Sequence, residues 1–560
     1  MNERELCTLA GHVLDRRHSL LSLWQEIADN FYPERGWFTV KRTLGEEFAD
    51  HLMSSYPVMV RRDLGNSFNA MLRPKAKNWF HIRPKDEERE DDVAAMRWLE
   101  MAENTQRRAM YDTHSQFVRA CKEGDHDFAT FGQCVLSVNL NRYRNGLMYR
   151  CYHMRDVGWM ENADGNIDTV ARRWTPTAKE LRTIFGEAKL ASKVNNLFTA
   201  GDPKKQYTEI ECVHLVLPAE MFEDNPRKQY VSIYLDKENE HIIEKVFTDH
   251  FEYVIPRWQT VSGYQYAFSP ATIVALPDAR LIQAMMLTLL EAGEKASNPP
   301  LIATSEAVMS GIELYAGGVT WVDAEYDERL GDVLRPISQD YRGLPNGLEI
   351  HDRVAAQIVE AFYINKLALP PANRKDMTAY EVSQRVEEYV RAALPLFEPM
   401  EQEYNGQICE KTFNLMFAHG GFGSPFDIPP SLRGAEVEFR FESPLHENIE
   451  RIKGQRFLET EQLLEQAMQL DPDVIAFVDI HTAFKDALQG IQVPSEWRRD
   501  DKEAEVIIQQ HEKIRAAQAQ LQMEGGAANV QQATAEAQKS MTDAQRNEQQ
   551  PRTATASATQ

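Results

Sequence analysis

The chain is 560 residues long with 43% apolar residues, enough for several domains with real cores. Its formal net charge of −23 excludes a conventional nucleic-acid binder, which needs a clustered basic surface to release counterions. It does not exclude a protein that lets DNA pass without holding it, since an acidic wall repels a polyanion.

Six scattered cysteines (Cys7, Cys121, Cys134, Cys151, Cys212 and Cys409) show no C-x-x-C and no paired spacing. That predicts free thiols in a reducing compartment and argues against a zinc ribbon. The N-terminus lacks a charged segment followed by an apolar one, so no secretory signal is expected. The most apolar helical stretch, 276–292, contains Pro277, Asp278 and Arg280 and falls short of the roughly 20 residues of a membrane span. A soluble protein with no membrane partner is expected.

In chain order, residues 1–75 read as helices. Leu14, Leu21, Trp24 and Ala28 follow helical spacing up to Tyr32-Pro33, and a second pattern over 58–72 is closed by Pro74. Trp79-Phe80-His81-Ile82 reads as a strand, and the acidic run 85–92 as a solvated entry to an amphipathic helix over 93–111. From 134 to 268 the pattern changes to strands and turns. A strand over 133–140 turns at Asn145-Gly146 into a return strand over 149–154, and Asp164-Gly165 marks a second hairpin before a strand over 167–174. A short helix over 177–185 and strands over 209–217, 230–235 and 251–258 complete an α+β block.

A helix over 277–296 then aligns Leu281, Ile282, Met285, Leu289 and Ala292 on one side and stops at Asn298-Pro299-Pro300. The segment up to 350 is rich in glycine and β-branched residues, carries Leu344-Pro345-Asn346-Gly347 near its end, and reads as a small α/β insertion. The next helix, 351–369, puts Val354, Ala355, Ile358, Val359 and Phe362 on one arc with Arg353, Gln357 and Glu360 opposite, and Pro370-Pro371 stops it. A polar, basic connection over 370–377 carries Asn373, Arg374 and Lys375. A capping box of Thr378 and Glu381, with Met377 set to staple against Val382, opens a helix that runs to 417. From its residues alone, the connection is either a surface connector of ordinary length or a loop held out on two helices to touch something.

Beyond it come a loop at Gly420-Gly421-Phe422-Gly423, a strand over 437–441 and helices over 447–470, 472–488 and 501–521. From Met523 the composition collapses to Gln, Ala, Thr, Ser and Gly, so 523–560 is expected to be a disordered tail.

No catalytic constellation stands out. The glycine loop at 420 lacks the lysine and the strand-loop-helix setting of a phosphate cradle. Asp125-His126-Asp127 holds ligand-type residues, but adjacent positions rarely converge on one ion and no second cluster accompanies them. A structural histidine is expected, with no metal and no cofactor. Neither G-x-S-x-G nor H-E-x-x-H occurs. A large chain with long helices, a strand-rich block and no active-site motif reads as a structural or assembly protein rather than an enzyme.

A series of short motifs, in order, spans nearly the whole chain to about residue 520. They are Trp24 to Pro33, Leu72-Arg73-Pro74 with Trp79-Phe80, and Pro256-Arg257-Trp258 ahead of Ser269-Pro270-Ala271, Ala275-Leu276 and Asp278. Asn298-Pro299-Pro300, Met377-Thr378-Ala379-Tyr380-Glu381-Val382 and Ser443-Pro444-Leu445 complete the series. Together they make the chain resemble the head-to-tail connector, or portal protein, of short-tailed (podovirus-type) tailed bacteriophages.

The resemblance implies a mainly helical α+β portal fold. Its parts would be a wing over 1–270, a first stem helix over 271–298, an α/β clip over 299–350 and a second stem helix over 351–369. A tunnel loop over 370–377, a wing return helix and strand over 378–442 and a helical crown over 443–522 would follow, ahead of the tail. The resemblance further implies a ring, usually a dodecamer, at one capsid vertex of the virion, assembled in the host cytoplasm. Double-stranded DNA would be packaged and ejected through it without sequence specificity. The implied partners are further copies of the chain, the major capsid and scaffolding proteins, the terminase packaging motor and a tail adaptor protein. Asn373, Arg374 and Lys375 would be the DNA-facing residues of the tunnel loop, many weak contacts at one level braking DNA without a high-affinity site. Ala267 stands where relatives tend to carry a glycine ahead of the Ser-Pro, which bears on a local turn. Two other readings are a solid adaptor or internal head protein without a DNA channel, and a nucleotide-driven packaging enzyme, which would need a G-x-x-x-x-G-K-[ST] motif that the sequence lacks.

Overall fold

The computed structural model describes residues 1–560 except 44, 76–77, 87–88, 90–91, 200–202, 223–225, 298–300, 304–333, 337–342, 365–397, 442–456, 468–477, 491–505, 512, 515–538 and 540–560. Five helices interrupted by one strand open the chain: α1 (Glu3–Asp15), α2 (Leu21–Phe31), α3 (Tyr56–Leu72), β1 (Phe80–Pro84), α4 (Val93–Met110) and α5 (Phe117–Phe131). The α+β block follows, with β2 (Val135–Leu140), β3 (Leu147–Tyr152), β4 (Val157–Glu161), β5 (Ile167–Trp174), α6 (Ala178–Phe185) and α7 (Ser192–Thr199). It continues with β6 (Cys212–Pro218), β7 (Tyr230–Asp236), β8 (His241–Thr248) and β9 (Tyr253–Val254). Then come α8 (Pro270–Ser297), β10 (Leu301–Ala303), β11 (Leu334–Pro336) and α9 (Gly343–Ala361). A π-helix, Met400–Gly406, runs straight into α10 (Gln407–Ala418), and β12 (Val437–Phe441) and α11 (Ile480–Gly490) close the series.

Local signals explain several boundaries. Asn2 and Glu5 form a capping box at α1, Thr177 and Glu180 another at α6, and Asp92 caps α4 by accepting from the Ala94 and Ala95 amides. The acidic run therefore ends as the helix entry that its composition predicts. Strands β4 to β8 form an antiparallel sheet in sequence order, β3, β2 and β9 a second, and β1 pairs with β12 across most of the chain, Phe80 opposite Phe441. The large core gathers α2 to α5, β1 to β4, α8, α9 and α10, while α1 covers one face of the five-stranded sheet in a smaller core of Leu6, Ala10 and Val13 against Leu215, Val231 and Ile233. All six cysteines are free thiols, four of them buried.

Helix α5, absent from the sequence reading, is the member on which the large core is hung. Three consecutive residues on it each meet an arginine from the N-terminal helices or their connections. Asp125 pairs with Arg73 with both side chains out of solvent, Asp127 pairs with Arg35 at 2.6 Å, and His126 Nδ1 lies 3.1 Å from an Arg61 nitrogen. Arg73 also donates to Asn405 Oδ1 at 2.7 Å and lies over the Tyr404 ring at 4.7 Å, which ties the π-helix to α5. The approach of α3 to α5 requires Gly65, because a Cβ there would lie 2.3 Å from His126 Nδ1. Asp125-His126-Asp127 is thus a structural element, and among the described residues no group of three or more His, Cys, Asp or Glu is placed to hold a metal ion.

Several boundaries correct the sequence reading. Helix α8 starts at Pro270, not at 277, and runs through Pro277. Pro277 faces outward beside exposed Ile273 and Val274, so the carbonyl it deprives of a partner lies on the solvent side. At 28 residues, α8 is long and apolar enough by composition to cross a membrane, so the length argument against a span does not hold. Its apolar positions Ala271, Ala275, Leu276, Ala279 and Ile282 are buried in the core instead. Helix α9 begins at Gly343, inside the stretch read as insertion, because Pro345 falls in the first turn, where no amide partner is needed. It ends at Ala361, short of the expected 369: Phe362 turns into the core against Phe31 (ring centroids 5.4 Å apart) and Tyr363 takes a left-handed backbone, φ 58°. Strand β8 was not read at all, β4 only as the partner implied by a turn, and the strand expected over 251–258 is reduced to β9 with an isolated bridge at Arg257. The expected helix over 472–488 is described only as α11, and 523–560 lies outside the described residues apart from Lys539.

Removing one partner of the Arg73–Asp125 pair strands a buried charge, so Arg73→Ala should cost about 3–5 kcal/mol in urea unfolding, whereas replacing both partners by apolar residues should cost far less. Burial, with Arg61 second, lowers the His126 pKa to about 4 from an ordinary 6.5. The unfolded chain then binds the extra proton between those values, so stability should be complete above pH 6.5 and fall as pH drops towards 4. Urea midpoints across that window should show a shallower slope in His126→Gln.

Candidate functional site

The element that projects from this core is the antiparallel pair α8 and α9. Its root is fixed by bonds that no periodicity reveals. Ser269 Oγ donates to the Ala129 carbonyl at 2.8 Å and accepts from the Thr272 amide, and Thr272 Oγ1 donates to the Thr130 carbonyl at 2.7 Å. The last carbonyls of α5 and the first turn of α8 thereby satisfy each other. Gly132, which caps α5 at φ +74°, makes the junction possible, since a Cβ there would lie 2.1 Å from the Phe268 carbonyl carbon. Gln133 Oε1 accepts from the Ala267 amide at 2.9 Å, so alanine stands at this buried position without a positive φ. Immediately after Ile282, Gln283 Oε1 accepts from the Met53 and Ser54 amides while its Nε2 donates to the Ser54 carbonyl, and Arg280 pairs with Glu26. The polar glutamine inside the apolar run was the one available sign of this attachment.

In α9 the arc expected from spacing is the packed one: Val354, Ala355, Ile358 and Phe362 are buried, and Arg353, Gln357 and Glu360 are exposed. The outer surface of the pair is not polar. Val274 (62% exposed), Leu281, Leu290, Leu348 and Ile350 all face solvent in the single chain. The three cations of the pair, Arg280, Lys295 and Arg353, are each engaged by a carboxylate, and acids outnumber bases along both helices. An apolar, mildly acidic shaft results. Asn373, Arg374 and Lys375 lie outside the described residues. The described chain leaves at Ile364, two residues after buried Phe362, and resumes at Glu398, two residues before buried Met400.

A second polar centre joins the two sheets of the α+β block. His214 Nδ1 lies 2.6 Å from Tyr253 Oη, and its Nε2 faces both Ser232 Oγ (2.8 Å) and Glu252 Oε1 (3.0 Å). The Tyr234 ring stacks on the imidazole at 4.2 Å. A serine, a histidine and a carboxylate meet here, but hydroxyl and carboxylate share one ring nitrogen, so the carboxylate cannot orient the imidazole as a base for the serine. Burial pushes the His214 pKa well below 6.5 and raises that of Glu252. A buried network of this kind locks β9 to β6 and β7 and gives the serine no oriented base.

The model of a family described as bacteriophage head to tail connecting protein matches residues 3–497. The "Probable portal protein" of Bordetella phage BPP-1 is 25% identical over 441 residues, 78% of this chain and 78% of its own. The "Portal protein" of Salmonella phage epsilon15 is 21% identical over 567 residues, 99% of this chain and 98% of its own. A solved chain from the "Virion of native gene transfer agent (GTA) particle" covers 80% of this chain and 95% of its own at 10% identity and a TM-score of 0.31, too low to establish a common fold.

Ser269→Ala should cost about 1–2 kcal/mol through loss of a cap and a buried hydrogen bond, and Gly132→Ala should cost more because backbone must move. Urea unfolding of the two variants checks the order.

Proposed function

The chain belongs to the bacteriophage head to tail connecting protein family, and on that premise we propose that it is a portal protein. Copies close into a ring, a dodecamer, at one capsid vertex of the virion, and double-stranded DNA is packaged and ejected through the axial channel. The observation that carries this reading is the alignment with a named portal protein along 99% of the chain.

The physics of the helix pair supports it. An exposed apolar face on a rigid shaft acquires a partner when the next copy covers it, and contacts of this head-to-tail kind bury every such face only if the ring closes. A mildly acidic lining with its cations already paired lets phosphates slide past. In this reading residues 1–270 form the wing, 271–298 and 351–369 the stem, 299–350 the clip, 378–442 the wing return and 443–522 the crown. The clip meets the terminase motor and the tail adaptor, and the wing and crown face the capsid and scaffolding proteins. The loop 370–377 presents Asn373, Arg374 and Lys375 to DNA, a ring of weak cationic contacts that brakes translocation without arresting it. The role is structural and not enzymatic.

Electron microscopy of the purified protein tests the assembly: closed rings with an open bore are expected, only monomers or filaments would overturn it, and closed particles without a bore would favour a solid adaptor. For the loop, Arg374→Glu with Lys375→Glu should impair DNA retention or packaging while rings still form. Normal packaging in that double variant would remove the loop from the mechanism.

A further inference from the structure

Against its net charge of −23, the chain builds a cleft that is rich in cations. It measures about 1170 Å³ and lies between the elbow joining α1 to α2, the loop 37–43, the corner between β3 and β4 and the end of β5. Arg17, Lys41, Arg42, Arg155, Arg172 and Arg173 line it. Their state of pairing differs. Arg42 is matched by Asp29 at 3.0 Å, while Arg155 and Arg173 share the single carboxylate of Asp156. Arg17, only 5% exposed, is held by the carbonyls of Leu14, Met154 and Arg155 and, among the described residues, by no carboxylate in direct contact.

Arg172 is the most constrained of the six. Its Nε donates to Tyr253 Oη at 3.1 Å and its guanidinium lies over the Tyr152 ring at 4.5 Å and near the Trp174 ring at 5.4 Å. No carboxylate comes within ion-pair distance of it among the described residues. The Glu252 carboxyl acts on it electrostatically from beyond ion-pair distance. A guanidinium fixed this way, lining a cleft and with no carboxylate in direct contact among the described residues, is organised in advance to receive an anion.

We propose that this cleft binds an extended acidic segment of a partner protein, whose carboxylates pair with Arg172, Lys41 and the shared Arg155–Arg173 positions. Two features favour a peptide over nucleic acid. The aromatic faces that would stack bases are covered by guanidinium groups, Tyr152 and Trp174 by Arg172 and Trp37 by Arg155. Asp15, Asp156, Glu209 and Glu211 also sit in the walls, Glu211 paired with Lys237 at 2.7 Å, so the lining mixes both signs of charge. A polyphosphate repeating its charge at every nucleotide cannot avoid them, whereas a peptide can place its acids opposite the arginines alone.

The test is fluorescence anisotropy on the full-length protein at low ionic strength, with a fluorescein-labelled oligoglutamate peptide and, in parallel, a labelled single-stranded oligonucleotide. Saturable peptide binding that weakens with added salt is expected, with affinity reduced by about tenfold or more in Arg172→Gln and in Lys41→Glu. Lys41 is exposed and makes no ion pair or hydrogen bond among the described residues, so its variant leaves the fold intact even if Arg172→Gln does not; its thermal melting and particle size should match the parent. Absence of saturable peptide binding, equal affinity in parent and Lys41→Glu, or binding of the oligonucleotide but not the peptide would each overturn the proposal.

Discussion

The structure depends on one buried ion pair. Arg73 follows α3 and Asp125 lies in the middle of α5, and neither side chain retains contact with solvent. Charges so placed are tolerated only if every neighbour helps to solvate them, and that requirement brings Asn405 and Tyr404 of the π-helix to the same point from more than 330 residues downstream of Arg73. The wide turn of the π-helix is what lets both side chains face inward together with buried Met400 and Glu401. Because α5 is held there, its C-terminal carbonyls have a fixed position, and the long helix α8 begins where those carbonyls are.

Helix α5 escaped the sequence reading although Phe117, Ala120, Cys121, Phe128 and Phe131 fall at helical spacing, because Gly124, Asp125 and Asp127 interrupt that face and are buried with it. The arginines that make this possible come from residues 35, 61 and 73, and no local window contains both halves of the bond. The helices α2, α3, α4 and the inward arc of α9 were legible because each is amphipathic on its own. Proline misled twice, at 277 and 345, since its effect depends on which side of the helix it faces and how close it lies to the start. Strand β8, at the edge of its sheet, alternates too weakly to be seen, with Glu244 and Lys245 adjacent. Of the site, the packed arc of α9 was visible, but the attachments through Ser269, Thr272 and Gln283 were not, because single polar residues carry no period. The cationic cleft was equally invisible, assembled from stretches of chain far apart in sequence.

Charge is distributed with purpose on this reading of the structure. The helix pair carries its cations already neutralised, so an approaching polyanion finds no strong grip along the shaft. The cleft does the opposite, holding Arg172 between two rings with no carboxylate in direct contact among the described residues. A net charge summed over the chain conceals both arrangements, because attraction over a screening length of about 8 Å is decided by the nearest few groups.

The junction of Gly132 with Phe268 and Ser269 makes α8 a cantilever. Its first four turns are gripped, while its last residues stand clear of the core. A helix of 28 residues is about 42 Å long, so tilting its gripped end by about 5° would swing the far end by nearly 4 Å. Small adjustments around α5 would therefore be magnified at the distal tip, and a disturbance at the tip would arrive at α5 as torque on the arginine-carboxylate knot.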